Sequence, residues 1–547
     1  MFKFSVKQIT EKFRYKASQL MEKKAVEGWR GILAISNRPR EEKKSFYPIP
    51  LFIRRSNSKL LILNYKFLKI TFIVVFLNPL IVLSQETATT KICPAELSNR
   101  IDAVINRPIF NRSRWGILVE TLSEKTTVYN RDAKYYFISA STAKLLTTAA
   151  VLQKLRPQFR IRTSIYGDGN GNIYIVGRGD PSLTETQLQS LAKQLKEQGI
   201  ETINQLIADD SYFEGTGVNP NWEWEDVQAG YGAPINSLIL NQNAIDLVLS
   251  PQSLGQPLQV TFVNSVEGQK WQIENNSVTV GKNEKEFLEV GRDFIQPIIR
   301  ISGQLRVGSA SEPVYVAVVE PVDNFLNKFS EVLATTGIQV SQIVKKSQIA
   351  SNINLTELAF VESPTLAELV EEVNRKSNNV YAESLLRQMG VRSRLIPRKK
   401  SNNQTLAKSL EEVKVILTRL GVTPNSFVLN DGSGLSRHNL VSPEALVQTL
   451  RIMANSPWAN IYRNSLPVAG VSGTLSRRFR NSFAEGNVQA KTGTISGVSG
   501  LAGYIQPANF EPLVFSIIVN QSDLETKNLR SAIDEIVLLL TQLNSCG

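Results

Sequence analysis

Residues 115–122 form a short apolar run of strand formers, and residues 126–129 repeat it after a polar turn; together they predict two strands opening an antiparallel sheet. The spacing then changes. Over residues 141–155 apolar positions recur with helical period among good helix formers, and Ser139 or Ser141 is placed to start that helix. From Arg160 to about Val344 the chain reads as strand-rich, broken by Gly, Asn and Asp turns. Helical spacing returns at Ser363-Pro364, where serine suits the cap and proline the first helical position, and runs over residues 366–389. A second Ser-Pro start, Ser442-Pro443, opens a helix to about Met453. Strands are expected near 488–495, 500–505 and 513–519, followed by an amphipathic helix over 529–543.

Strands and a helix at each end of a long excursion point to one domain split by an insertion. The expected fold class is α/β (α+β), an antiparallel sheet flanked by helices. The split domain takes residues 93–160 and 355–547, with a β-rich insertion over 161–354.

Charge changes the picture only at the N-terminus. Of the formal +13 over 547 residues, the first 69 hold 17 basic and 5 acidic residues, while the rest is nearly balanced at 45 and 44. A nucleic-acid-binding body is therefore excluded. The basic stretch runs into 14 apolar residues, 70–83, flanked by Lys66 and Lys69. That pattern predicts export, with 67–85 a signal peptide or membrane anchor and the only membrane contact. Residues 1–66 form a basic tail, or reflect a start codon placed too early. The expected location is the cell envelope, in the periplasm or on the outer face of the cytoplasmic membrane. Cys93 and Cys546 are either partners in a disulfide or two unrelated thiols.

The chain has one histidine, His438, and no G-x-S-x-G elbow, so a serine–histidine mechanism lacks support; one His and two Cys give no metal site, and no cofactor is expected. A lysine held neutral by burial and neighbouring positive charge can replace the histidine. Ser141-Thr142-Ala143-Lys144 places a hydroxyl and an amine three residues apart at a helix start. Alone that motif is weak, but Ser377-Asn378-Asn379, within the predicted helix after Lys376, and Lys491-Thr492-Gly493, in a predicted strand, follow in order. Each residue type answers a demand. Ser141 attacks the carbonyl and Lys144 takes its proton; Ser377 relays it to the leaving amine; the Asn379 amide binds substrate backbone and lysine. Lys491 and Thr492 pair with a terminal carboxylate, the backbone N–H groups of Ser141 and Thr494 form an oxyanion hole, and Gly493 leaves room for substrate to add beside the strand.

The chain from Pro94 onward resembles the D-alanyl-D-alanine carboxypeptidase/endopeptidases, the class C low-molecular-mass penicillin-binding proteins. The resemblance is carried by residues 137–146 around Ser141, 177–183 (GRGDPSL), 209–213 (DDSYF), 231–235 (YGAPI), 431–437 (DGSGLSR), 469–475 (AGVSGTL) and 491–494 (KTGT). It implies a penicillin-binding/β-lactamase-like transpeptidase domain whose insertion, between Lys144 and Ser377, carries a nested smaller domain at about 245–318. It implies a serine D-Ala-D-Ala carboxypeptidase, with D,D-endopeptidase activity as a companion, acting on peptidoglycan stem peptides and acylated by β-lactam antibiotics. Asp209 matches the acidic position that holds the ammonium of the stem's diamino acid, and Leu435 and Arg437 lie where the family's loop borders substrate. Asn378 departs from the Asp common at that place, and the flanking Ser377 and Asn379 carry the roles. A β-lactamase and a non-catalytic wall-binding or assembly protein are the competing readings; the long insertion opposes the first and the intact motifs oppose the second.

Overall fold

In the computed structural model the described residues are 91–346, 354–395 and 403–546, so the basic tail and the apolar segment 67–85 lie outside them. Among the described residues no helix is long and apolar enough to cross a membrane.

The predicted antiparallel sheet is present. Its five strands run in the order Val488–Ile495, Val498–Ile505, Leu513–Asn520, Arg114–Thr121, Thr127–Arg131, with chain start and chain end meeting at its centre. Burial on both faces explains why its central strands read as apolar runs rather than as alternation: every residue of Leu513–Asn520 is buried. One face packs on Lys144–Leu155, Leu366–Arg375, Asn379–Val391 and Pro443–Ala454. The other packs on Pro94–Ile105 and Thr526–Thr541. Cys93 and Cys546 form a disulfide that ties these last two helices together.

The insertion is a second five-stranded sheet, ordered Gln339–Lys346, Thr202–Asp209, Asn172–Val176, Arg162–Gly167, Thr356–Glu362. Two expectations need correction here. Thr356–Glu362 pairs antiparallel with Arg162–Gly167, so the insertion ends near Glu362 rather than at 354. The strand-rich reading also missed two helices, Glu185–Glu197 and Pro321–Thr335, whose apolar faces (Leu188, Leu191, Phe325, Phe329) supply the insertion's core. Both carried start signals: a reciprocal Thr184–Gln187 capping box, and Pro321 in the first turn. Within the insertion, residues 244–317 form two three-stranded sheets around Leu247, Leu249, Ile299 and Ile301.

The predicted helix over 366–389 is two helices. Thr365, not Ser363, caps the first through the Glu368 N–H; Ser363 Oγ instead accepts the Ile161 N–H at 2.9 Å. The first helix ends at Arg375, and Asn378 caps the second, accepting the Tyr381 N–H at 3.2 Å.

Candidate active site

Ser141 lies in a tight 3-10 turn, Ala140–Ala143, that precedes the helix Lys144–Leu155, so neither Ser139 nor Ser141 caps that helix by its side chain. The turn is held from outside. Ala140 has φ +45°, and Gly434 (φ +81°) lets a loop pass where a Cβ would lie 1.9 Å from the Ala140 carbonyl oxygen. On the opposite side a Cβ on Gly493 would meet the Ser139 oxygen at 2.8 Å and Thr142 at 3.1 Å. The glycine at 493 therefore admits the nucleophile's turn against the strand, a correction to the expectation that it leaves room for substrate.

Lys144 is fully buried. Its Nζ lies 3.0 Å from Ser141 Oγ and donates to Asn379 Oδ1 at 2.6 Å and to the Ser433 carbonyl at 2.5 Å. Burial pushes its pKa down to about 7, against the carboxylates of Asp431 and Glu383, which pull it up. A neutral amine has two hydrogens and one lone pair. The two carbonyl oxygens only accept, so they take the hydrogens and leave the lone pair facing the Ser141 hydroxyl, the arrangement a general base needs.

Ser377 sits in the break between the two helices rather than within one, with φ +63°. This strained conformation turns its hydroxyl to Lys491, whose Nζ donates to Ser377 Oγ and to the Thr492 carbonyl, each at 2.8 Å. Lys491 is also fully buried, and burial, aided by repulsion from Lys144 whenever that amine is protonated, holds its pKa well below the ordinary lysine value. The Asn379 amide spans two domains: its oxygen takes the lysine and its Nδ2 donates to the Tyr231 carbonyl of the insertion at 3.0 Å. Asn378 donates to Gln242 Oε1 at 2.7 Å, so the middle residue of the motif links the helix to the insertion and stays off the lysine.

Thr492 Oγ1 donates to Thr474 Oγ1 at 2.8 Å, and Thr494 Oγ1 accepts from Arg530 at 3.3 Å. Thr474 lies in a stretch quoted above only for its resemblance; its place opposite the strand comes from the turn Gly473–Leu475. Beside Ser377, Asn378 and Asn379 a cleft of about 1350 Å³ opens toward the insertion, bordered by Tyr231, Gln242 and Tyr315.

The three residues expected beside substrate, Leu435, Arg437 and Asp209, each have protein partners. Leu435 is buried in an apolar cluster with Phe213, Trp222 and Val380, so it packs the domain junction. Arg437 spends its guanidinium on the Ser496 carbonyl at 2.6 Å and on Glu223 at 3.0 Å, clasping the sheet to the insertion. Asp209 ends its strand as a turn residue, its Oδ1 accepting the Ser211 N–H at 2.8 Å. Trp222 packs in the same cluster as Leu435 and donates to Asp431 at 2.9 Å, whereas Trp224 is exposed and lies against Phe294. On the insertion side the cleft is lined by the carboxylates Glu225, Asp246, Glu289 and Glu312, and Asp226 accepts the Tyr231 hydroxyl at 3.0 Å. Burial raises the Asp226 pKa, and Glu223 and Glu225 add to this.

A hydroxyl facing a buried, neutral lysine, with a second lysine–serine pair beside it, defines a serine hydrolase that works through acyl transfer. The chain belongs to the D-Ala-D-Ala carboxypeptidase 3 (S13) family, whose model matches residues 97–542. It is a serine-type carboxypeptidase. It is 32% identical to a D-alanyl-D-alanine carboxypeptidase of Actinomadura sp. (strain R39), covering 78% of this chain and 81% of that one. It is 29% identical to the penicillin-sensitive carboxypeptidase A of Dictyostelium discoideum, over 79% and 87%. The crystal structure of penicillin binding protein 4 from Haemophilus influenzae superposes with a TM-score of 0.66 at 25% identity, covering 82% of this chain and 98% of that one; a second structure of that protein holds a β-lactam.

Proposed function

We propose that the chain hydrolyses the terminal D-alanyl-D-alanine bond of peptidoglycan stem peptides through an acyl-enzyme on Ser141, that the same residues open D-alanyl cross-links, and that β-lactams acylate Ser141. The reading is carried by the Lys144 amine, held neutral by burial and aimed at Ser141 Oγ by two carbonyls. Lys144 takes the hydroxyl proton as Oγ attacks the carbonyl carbon, and the N–H groups of Ser141 and Thr494 receive the oxyanion. Ser377, in contact with Lys491, hands a proton to the leaving amine, and water then attacks the ester by the reverse path. The carboxylate of the leaving D-alanine pairs with Lys491 and with the hydroxyls of Thr492 and Thr474; its charge favours the protonated lysine that burial otherwise suppresses. In a β-lactam the leaving amine stays tethered to the acyl group, so the ester persists.

The ammonium of the stem's diamino acid fits Glu225, which lines the cleft beside Asn379, and Asp226, which holds the hydroxyl of the Tyr231 whose carbonyl receives Asn379, whereas Asp209 spends an oxygen on the Ser211 N–H. An exported location agrees with the Cys93–Cys546 disulfide, a bond of oxidising compartments. The test is chromatography of muropeptides after incubation with wild type, Ser141→Ala and Asp226→Asn. Wild type should release D-alanine and Ser141→Ala none; Asp226→Asn should slow turnover of the free-amine peptide roughly ten-fold, but not that of its N-acetylated form. D-alanine release by Ser141→Ala would refute the acyl-enzyme, and equal slowing on both peptides would refute the ammonium site.

A further inference from the structure

Glu383 lies one turn beyond Asn379 on the helix Asn379–Val391 and is fully buried. Its Oε1 accepts the backbone N–H groups of Gly432 and Ser433 at 2.7 and 2.8 Å, and its Oε2 accepts from Arg387 at 3.0 Å. Burial pushes the Glu383 carboxyl up, yet every contact on its two oxygens is a donor, which suits the ionised form. The Ser433 residue it grips is the one whose carbonyl receives Lys144. We propose that Glu383 is a positioning residue for proton transfer, fixing the Ser433 carbonyl so that the Lys144 lone pair points at Ser141.

One helix then sets both acceptors on the lysine. Asn379 reaches it directly, and Glu383, four residues on and so on the same face, reaches it through the backbone of the loop. The same loop is wound on Asp431, whose oxygens accept the Gly434 and Ser436 N–H groups, and is tied to the nucleophile helix where Thr147 donates to the Gly432 carbonyl at 2.8 Å. Packing alone gives no reason for Glu383 to be charged. A buried ion pair is commonly replaceable by apolar residues without loss of stability, and here Arg387 Nη2 has no hydrogen-bond partner among the described residues, so the pair is not optimised for the fold. The charged groups around Lys144 are Lys491 from the strand, Asp431 from the loop, and Glu383 with Arg387 from the helix. Since the mechanism uses neither Glu383 nor Arg387 directly, aiming the loop is the function the geometry leaves for Glu383.

The inference rests on Lys144 as base, and the experiment separates the two. The rate of acylation by a fluorescent penicillin is measured for Lys144→Met, Glu383→Gln/Arg387→Met and Glu383→Leu/Arg387→Met, each divided by its own final covalent stoichiometry so that only folded molecules count. Measurements are made at neutral pH and at about pH 9, where the lysine is neutral and a mere change in its pKa no longer matters. Glutamine keeps an oxygen for both N–H groups, so that pair should acylate close to wild type. The leucine pair should lose on the order of a hundred-fold at both pH values, the scale of a misaimed reacting group. A leucine pair as fast as wild type, or a loss confined to neutral pH, or a glutamine pair as slow as the leucine pair, overturns the role of Glu383. Lys144→Met acylating at the wild-type rate would instead overturn the base itself.

Discussion

The five residues Ser141, Lys144, Ser377, Asn379 and Lys491 were legible because each belongs to a short motif whose side chains answer one chemical demand. They meet in two hydrogen-bonded groups, Ser141–Lys144–Asn379 and Ser377–Lys491. What the sequence could not carry is the set that reaches them through space: Tyr231, Ser433 and Thr474 come from separate segments and act partly through backbone atoms or a turn. The sign of the electrostatics was also hidden. Lys144 was expected to be kept neutral partly by positive neighbours, whereas burial does this against two carboxylates. Because the base must be unprotonated, acylation should rise with pH through about 7, as a stopped-flow pH profile would show; a flat profile between pH 5 and 9 would mean another base. The same depression has a stability sign. Unfolded, the lysine binds a proton up to about 10.5; folded, it does so only below about 7, so wild-type stability rises with pH across that window. Denaturant melts of Lys144→Met should therefore gain on wild type by a few kcal/mol as pH falls from about 10 to 7, and no change in the difference would contradict the shift.

Among elements, the sheet and its flanking helices were readable because apolar runs and Ser-Pro or capping signals mark them, as at Ser442, which accepts the Ala445 N–H. The break at residues 376–378 was not, since nothing in Arg375-Lys376-Ser377 forbids helix; the strained Ser377 is imposed by its contact with Lys491 and by the Asn378 cap on the next helix. Pairing was equally invisible for Thr356–Glu362, whose partner lies nearly two hundred residues earlier. Two substitutions test this level. Asn378→Asp should leave acylation and melting temperature near wild type, because an aspartate still caps Tyr381 and Gln242 can turn its amide toward it. Gly493→Ala should depress acylation at least ten-fold by pushing the strand off Ser139 and Thr142, as labelling kinetics would read; unchanged kinetics would mean that the turn yields freely.

For the whole molecule, the pairing of early with late strands in one sheet fits the order of the motifs, while the disulfide was an even choice that the meeting of the helices Pro94–Ile105 and Thr526–Thr541 resolves. Those helices cover the sheet face opposite the helix that carries Lys144, with Arg530 reaching Thr494 at 3.3 Å, so Cys93→Ser/Cys546→Ser should lower unfolding stability by roughly 2–4 kcal/mol in a denaturant melt and leave acylation intact; loss of acylation in the folded variant would show that this layer holds the site. The proposed chemistry turns on one nucleophile. Intact-mass and peptide mapping of the protein after penicillin treatment should find one acyl group, on the peptide containing Ser141 and absent in Ser141→Ala. An adduct on any other residue, or persisting in Ser141→Ala, would contradict it.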